Sequence, residues 1–413
     1  MHKHPDEFLC RGVIYFNKLL IFISLFSYII FMEKEFFQKK CIRGEEKKMN
    51  DLFSLIAKKF FAITSALILA FSITGAPKIA EGGTVSADLS QTSVVESKRP
   101  FDVGLKAFYE KSDDAFVIPG LNEGFIPQGL FYDEMHDAFL ISGYYENKTL
   151  PSKVILLDGN GTFIKSVSAV YKDNGKNSFG HFGGIAVFED NVYVATTGVT
   201  LVLSFSDILE AENNADVTIN KSLYTDVTCS YVNVCDGVLY IGEYKDKTVD
   251  GALKSPHKIM SKSGEIFYAR CNAFRLESGS AFGIRADMID ADGNITPDFA
   301  FTSPLKAQGM ARLSGGRIVY TCSATNITNS NVYIFGDVTK GEPDETLVIN
   351  GKDVPLYYCT LCDRQEKRKA PVLLEEITVH PDGNVYILCE SAAMKYRHEN
   401  KNPIDCVMSW EIL

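Results

Sequence analysis

Short apolar runs, arranged in pairs, fill the chain after about residue 114. Apolar and polar positions alternate within each run, which is the period-two pattern of a half-buried β-strand. Turn sequences separate the paired runs, for example Cys-Asp-Gly at 235–237 and Ser-Gly-Gly at 314–316. Such turns between alternating runs are strong hairpin signals. Only residues 206–213 suggest a short helix, so the pattern predicts an all-β domain.

The pairs recur in the same internal order. Each copy begins with a polar or small residue, often followed by glycine, and the five copies begin near residues 127, 182, 230, 308 and 375. Units of three or four short strands that repeat in this way are typical of β-propeller blades, which bury their faces by radial stacking. We predict a β-propeller over residues 114–413 with five blades, or with six if the long third unit contains another. The alternative is a β-sandwich of irregular hairpins.

Residues 114–118 are apolar enough to supply the outer strand that closes the ring with the last blade. Such a strand would pair an early segment of the domain with its final segment. It would leave only short strand edges exposed.

The N-terminal part has two apolar runs, at residues 13–32 and 60–76. The second follows Lys58 and Lys59 and precedes small residues, as in a signal peptide that starts at Met49 and is cleaved after Ala87. We therefore assign residues 49–87 to a signal peptide and residues 88–113 to a linker. Residues 1–48 are an over-extended start or, alternatively, a first transmembrane segment. The segment 81–100, rich in Ser, Thr, Gly and charge, is predicted to be a tether.

Composition narrows the function classes. The formal net charge is -10, so nucleic acid is not an expected partner. The chain has no Walker loop, dinucleotide fingerprint, HExxH or GxSxG motif. Eight cysteines follow the leader, and an even number in an exported chain permits disulfides. Cys359 and Cys362 form a CxxC pair, interpreted as a local disulfide or two free thiols.

Candidate ligand-binding residues lie at the aligned starts of the repeats. In a propeller these starts surround the central channel, so residues far apart in sequence converge there. The aligned positions are Gln128, Gly183, Ser230, Gln308 and Glu375. Two amides and a carboxylate suit a carbohydrate or a metal ion. A structural alternative is that each Gln-Gly only hydrogen-bonds a neighbouring blade.

Further candidates flank these positions. His181, beside Gly183, is a candidate general base, and we pair it with Glu375 as the catalytic candidates. Glu243 and Glu390 end second strands in two blades and could bind a cation or share acid–base work, or be solvated strand ends. The remaining ligand-binding candidates are Ser142 and Tyr144 in the first blade, His257 in a loop, and Lys395 and Arg397 after the last blade.

The strand starts and alternation resemble those of the gluconolactonase and NHL-repeat superfamily of propellers. More narrowly, the chain is similar to a group of secreted bacterial proteins in three stretches: Pro-Gln-Gly-Leu at 127–130, Gly-His-x-Gly-Gly-Ile-Ala at 180–186 and Glu-Ser-x-Ala-x-Lys-Tyr-Arg at 390–397. The resemblance covers about residues 115–413. It implies a calcium site made by a Glu, one or two Asn and an Asp, of which only Glu375 has a matching position.

Three functions remain open at this level. The first is an exported propeller that binds a carbohydrate or a cell-surface component in its channel. The second is a metal-dependent hydrolase or lactonase, with a divalent cation such as calcium as cofactor, and the third is a protein-interaction module. Whether the protein is an enzyme is undecided. We expect a monomer that is secreted or otherwise outside the cytoplasm, and that touches the membrane only through its N-terminal segment.

Overall fold

The computed structural model describes residues 79, 82–95, 103–246, 257–262, 264–323, 325–400 and 402–412. The predicted segment 1–48 and most of the predicted signal peptide, 49–87, lie outside these residues. No helix within the described residues is long and apolar enough to cross a membrane.

Five antiparallel sheets form the blades of the domain. The first strand of the chain, β1 (Ser112–Val117), belongs to the last blade. Blade 1 comprises β2 (Phe125–Asp133), β3 (Ala138–Tyr145), β4 (Lys153–Asp158) and β5 (Phe163–Tyr171). Blade 2 comprises β6 (Phe182–Phe188), β7 (Asn191–Thr196), β8 (Val199–Ser204) and, beyond β9 (Asp216–Ile219), β10 (Lys221–Leu223).

Blades 3, 4 and 5 are also built from four antiparallel strands, and blade 3 carries an inserted hairpin. Blade 3 comprises β11 (Tyr231–Cys235), β12 (Val238–Gly242), β15 (Ala269–Arg275) and β16 (Phe299–Ser303), with a small hairpin of β13 (Ile259–Met260) and β14 (Ile266–Phe267) between them. Blade 4 comprises β17 (Ala307–Arg312), β18 (Ile318–Cys322), β19 (Ser330–Phe335) and β22 (Glu366–Ala370). Blade 5 comprises β23 (Leu374–Val379), β24 (Val385–Cys389), β25 (Cys406–Trp410) and β1.

Two blades are widened by strands from elsewhere in the chain. β9 pairs with β5 in parallel and so extends blade 1. The hairpin of β20 (Glu345–Ile349) and β21 (Lys352–Tyr357) leaves blade 4 and joins blade 3, where β21 pairs with β16 in parallel. These exchanges fasten neighbouring blades together by backbone hydrogen bonds.

The ring closes between the two ends of the domain. β1 pairs antiparallel with β25, from Ser112 opposite Trp410 to Val117 opposite Cys406. The innermost strands β2, β6, β11, β17 and β23 each pack against two neighbours in a closed circle. The chain is a five-bladed β-propeller. The predicted closing strand is therefore confirmed, and the long third unit contains a loop and the β13–β14 hairpin where a sixth blade was the alternative.

Apolar side chains between adjacent blades form the core. Tyr231 and Tyr320 are fully buried and meet edge to face, with ring centroids 6.4 Å apart between blades 3 and 4. Burial of such large rings is a main source of stability for stacked sheets. All eight cysteines after the leader are free, including the buried Cys359 and the exposed Cys362. The CxxC pair is therefore two free thiols in this structure.

Helix is scarce, as the pattern predicted. The described α-helices are α1 (Lys106–Tyr109) and α2 (Phe205–Glu210). α2 begins where Ser204 Oγ accepts a hydrogen bond from the backbone N–H of Asp207, which is a standard N-cap. The 3-10 helices are Val103–Leu105, Glu146–Lys148, Ala281–Gly283, Ala286–Met288, Ser314–Gly316 and Val338–Lys340.

The segment 82–95, which we call the strap, departs from the sequence prediction of a tether. Leu89 and Val94 are buried against the propeller. Asp405 Oδ2 accepts hydrogen bonds from the backbone N–H groups of Val94 and Val95, at 3.0 and 3.1 Å. The small polar residues of the strap satisfy fixed hydrogen-bond partners here, so a composition that is typical of a linker forms an ordered edge of the domain.

Candidate functional site

Backbone irregularities at the starts of the innermost strands aim side chains into the channel. Four of the five pairings at the centre of the ring shift register at this level. The shifts fall between Pro127 and Gly129, Phe182 and Ile185, Ala307 and Gly309, and Leu374 and Ile377. Residues left out of register are Gln128, Gly183, Gly184, Gln308, Glu375 and Glu376. A β-bulge re-aims a side chain in this way.

These starts surround a cavity of about 310 Å³ at the centre of the propeller. All five blades contribute to its wall. The polar wall residues are Gln128, His181, Thr197, Ser230, Gln308, Glu375 and Glu390, and the tyrosines are Tyr144, Tyr244 and Tyr396. The structure thus brings together eight of the predicted residues: Gln128, Tyr144, His181, Gly183, Ser230, Gln308, Glu375 and Glu390.

The acidic centre of the cavity is a pair of carboxyl groups, Glu375 and Glu390. They come from the start of β23 and the end of β24, and each carboxyl group affects the pKa of the other. Burial, followed by the charge of Glu390, raises the pKa of Glu375 well above its usual value. Burial also raises the pKa of Glu390 to about 8. Ionising both of two carboxyl groups in contact is unfavourable because the two negative charges repel each other. The pair therefore holds a proton near neutral pH.

Amide groups of two glutamines support the pair. Gln128 Nε2 donates to Glu390 Oε2 at 2.7 Å, and this bond lowers the pKa of Glu390 against the effect of burial. The side chain of Gln308 acts in the same way on Glu375. Oε1 of Glu375 is buried and has no hydrogen-bond partner among the described residues. A buried acceptor without a partner is the feature that a bound ligand or water would satisfy.

Glu376 is a third carboxyl group at this centre, and the sequence analysis did not single it out. Its side chain is fully buried, and burial raises its pKa well above the usual value. Oε1 accepts the backbone N–H of Ile377 at 3.1 Å. The Cα atoms of Gly184 and Gly309 approach this carboxyl group so closely that a Cβ atom at either would contact it. The signal was available in the chain, since two consecutive glutamates in a buried strand are unusual.

Aromatic rings line the mouth of the cavity. The ring of His181 lies 4.1 Å from that of Tyr144, centroid to centroid. His181 is accessible to solvent, yet enough protein surrounds it that desolvation lowers its pKa. Burial raises the pKa of both Tyr144 and Tyr396. At neutral pH His181 is therefore a neutral imidazole, and both tyrosines are protonated.

Two predicted residues form a separate cluster beside blade 3. Glu243 follows β12 and is fully buried, and its Oε1 lies 2.6 Å from His257 Nδ1. The same oxygen accepts the backbone N–H of Arg270 at 3.1 Å, and Oε2 accepts Thr228 Oγ1 at 3.3 Å. This carboxylate has donors on both oxygens. Neither Glu243 nor His257 is among the residues that line the cavity.

The other predicted residues lie behind or above the wall. Ser142 is buried and its Oγ donates to the carbonyl of Gly183, which ties blade 1 to blade 2. Lys395 is exposed above the rim, 3.4 Å from Glu146, and its charge lowers the pKa of Glu390. Arg397 is fully buried and faces away, toward the strap.

The donor set implied by the resemblance is not reproduced in the cavity. A calcium ion prefers about six to eight oxygen ligands, and the resemblance implies Glu, Asn and Asp. The wall residues within the described chain include two Glu and two Gln, and neither Asn nor Asp. No group of three or more His, Cys, Asp or Glu among the described residues is arranged to hold a metal ion. The residues present therefore do not fit that calcium site.

Known proteins give only distant likenesses. Neither protein-family models nor curated proteins match the chain. Among solved structures, the PQQ-bound aldose sugar dehydrogenase from Streptomyces coelicolor aligns with 10% identity over 72% of this chain and 97% of that chain, at a TM-score of 0.39. Glutaminyl cyclase from Myxococcus xanthus aligns with 10% identity over 69% and 90%, at 0.35. The PQQ domain of pyranose dehydrogenase from Coprinopsis cinerea aligns with 10% identity over 72% and 94%, at 0.34.

Proposed function

We propose that the propeller binds a small, neutral, polyhydroxylated ligand of the carbohydrate class in its central cavity. The observation that carries this proposal is the protonated glutamate pair, Glu375 and Glu390, beside the side-chain amides of Gln128 and Gln308 in the cavity wall. We call these four side chains the floor of the cavity. Such a floor offers both donors and acceptors, as hydroxyl groups require.

Charge favours a neutral ligand over an anion. With the pKa of Glu390 at about 8 and that of Glu375 well above its usual value, the pair is mostly protonated at neutral pH and offers an anion no positive charge. Lys395 is the nearest counter-charge, and it is at the rim and engaged with Glu146. An anionic group in the floor would thus meet no free cation among the described residues of the wall.

Size and shape favour a compact ligand. The cavity of about 310 Å³ is at the lower end of the range for small-molecule sites, about 300–1,000 Å³. Tyr144, Tyr244 and Tyr396 place rings at the wall, where the apolar face of a sugar can pack while its hydroxyl groups reach the floor. A mono- or disaccharide fits these dimensions.

The test is titration calorimetry of the purified protein against a panel of neutral, amino and acidic mono- and disaccharides. We expect a neutral sugar to bind, and we expect the Glu375→Gln variant to lose at least tenfold in affinity because an amide NH₂ group replaces one carboxyl oxygen and removes an acceptor from the cavity. Glu134→Gln, in the exposed turn after β2, is the matched control and should bind as the parent does. Binding of acidic sugars alone, or equal binding by both variants, would contradict the proposal.

A second candidate, a hydrolase, is favoured by one observation. The protonated pair Glu375–Glu390 and the neutral imidazole of His181 line the same cavity, and together they offer a general acid and a general base. Panels of lactones and esters, assayed with the parent and with Glu390→Gln, test it. Metal analysis and thermal unfolding with and without a chelator decide whether a divalent cation takes part.

We also propose that the protein works outside the cytoplasm as a monomer, since the leader predicts export. Cell fractionation and light scattering of the native protein test these two points. Recovery in the cytoplasm, or a stable dimer, would contradict them.

A further inference from the structure

We infer that the strap is a positioning element of the channel wall, and that the mature protein retains it, so that any removal of the leader takes place before Gly82. The strap contacts the back of two wall elements, and it would hold them whichever ligand the channel takes. Cleavage after Ala87, the position that the sequence suggests, would remove all of these contacts, since they involve Gly82, Thr84 and Ser86.

The strap is bound to the propeller by main-chain hydrogen bonds. The N–H of Thr84 donates to the carbonyl of Asn122 and that of Ser86 to the carbonyl of Glu123, both at 3.1 Å. Tyr145 Oη donates to the carbonyl of Ser86 at 2.9 Å. Tyr145 is the neighbour of Tyr144 in β3, so this bond fixes the strand that carries a ring of the cavity wall.

Arg397 makes the second attachment. Its guanidinium is fully buried, donating from Nη1 to Asn122 Oδ1 at 2.9 Å and from Nη2 to the carbonyl of Gly82. Burial lowers the pKa of Arg397. A buried guanidinium that lost the Gly82 carbonyl would be short of an acceptor, which is among the costliest losses in a protein interior.

A compact turn connects Arg397, which contacts the strap, with Glu390 and Tyr396 in the cavity wall. The N–H groups of Tyr396 and Arg397 both donate to the carbonyl of Ala393, at 2.8 and 2.9 Å, and the N–H of Ala393 donates to the carbonyl of Glu390 at 2.9 Å. Glu390 and Tyr396 face the cavity, whereas Arg397 faces the strap. The strap therefore sets the position of one glutamate of the pair and of one wall tyrosine.

Two neighbouring glycines of the strap allow a matched test. A Cβ atom at Gly83 would lie 2.7 Å from Met394 Sδ and 2.8 Å from the carbonyl oxygen of Asn122, so alanine there pushes the strap away from the turn. A Cβ atom at Gly82 meets nothing within 4 Å. Both glycines have positive φ, +135° and +106°, so the backbone strain of an alanine is common to the two variants.

We would express the full chain in an exporting bacterial host and compare Gly83→Ala with Gly82→Ala by hydrogen exchange and by pH titration of the glutamate pair. Amide exchange in residues 390–397 should accelerate at least tenfold in Gly83→Ala only, with blades 2 and 3 unchanged, and the titration midpoint of the pair should shift. If Gly83→Ala does not fold, Arg397→Lys should give the same local result. Equal exchange in all three proteins would overturn the positioning role, whatever the outcome of the sugar titration.

The intact mass of the exported parent protein tests the second half of the inference. We expect an N-terminus at or before Gly82. A mature chain that begins at Asp88 and keeps slow exchange at residues 390–397 would overturn the inference.

Discussion

Glu243 and Glu390 occupy equivalent places in blades 3 and 5, directly after the second strand, but their surroundings differ. Glu243 is fully buried with hydrogen-bond donors on both oxygens. Glu390 lies against a second carboxyl group at the cavity, and burial raises its pKa to about 8. The same position of the repeat therefore holds a structural carboxylate in one blade and a proton-holding group of the candidate site in the other.

The difference comes from the groups that surround each carboxyl group and not from its position in the repeat. Around Glu243 the partners come from the turn before β11, from the loop that carries His257, and from the start of β15. Around Glu390 the partners come from the bulged starts of β2 and β23. The repeat fixes where the side chain lies, whereas the strand and loop residues around it differ between the two blades and decide which groups contact it.

The same substitution at the two sites should have opposite effects. Glu243→Gln places an amide NH₂ against donors and should lower the free energy of unfolding by about 2–3 kcal/mol, because a buried donor loses its acceptor. Glu390→Gln removes a carboxyl–carboxyl contact and should leave that free energy unchanged or raise it. Urea unfolding at pH 7 measures both. Equal losses would mean that the two glutamates are alike and would break the comparison.

The next prediction concerns the space that the buried side chain of Glu376 in blade 5 needs beside Gly309. A Cβ atom at Gly309 would collide with Glu376 Oε1 and lie 2.9 Å from the carbonyl oxygen of Glu375. We expect Gly309→Ala to lower the free energy of unfolding by about 2 kcal/mol, as overpacking does. Adding Glu376→Ala should recover part of this loss. Gly341→Ala, where a Cβ atom meets nothing within 4 Å, is the control, and a similar loss there would refute the steric explanation.

Much of this architecture was predictable from the sequence. Alternation and turn residues predicted the blades and the closing strand, because both depend on local period and on short-range turn chemistry. Alignment of strand starts predicted Gln128, Gln308 and Glu375 around one channel. Equivalence in the repeat, however, could not separate Glu390 from Glu243, since an alignment of the repeats does not show which side chains contact each carboxyl group.

Two other features of the structure could not be predicted from the sequence, for physical reasons. The strap has the composition of a linker, and its order depends on Asp405 and Arg397, which are more than three hundred residues away. Tyr244 and Tyr396 line the cavity but were not singled out as candidates, because a tyrosine beside a strand is common in any sheet. Long-range partners of this kind are visible only in the folded chain.

The glutamate pair should also make stability depend on pH. Folding raises the pKa of Glu390 from 4.5 to about 8, so the folded protein holds a proton that the unfolded chain releases. The free energy of unfolding should therefore fall as pH rises from about 5 to about 8, by up to about 1.4 kcal/mol per pH unit for one proton. In Glu390→Gln this slope should be reduced, while Glu134→Gln should keep it. A parent protein whose stability rises over the same interval would contradict the assignment.

The smallest expected effect concerns the side-chain amide of Gln128, which donates a hydrogen bond to Glu390. Gln128 Nε2 donates to Glu390 at 2.7 Å and lowers its pKa, so Gln128→Leu should move the pH midpoint of the pair upward, by about 0.5–1 unit. The pair titrates as a unit, and the midpoint therefore belongs to Glu375 and Glu390 together. The unfolding series against pH gives this midpoint, with the exposed Gln365→Leu as a control that should not shift it. A downward shift, or none, would mean that the amide is not what distinguishes Glu390 from Glu243, and that the Glu375 contact alone sets the difference between the two blades.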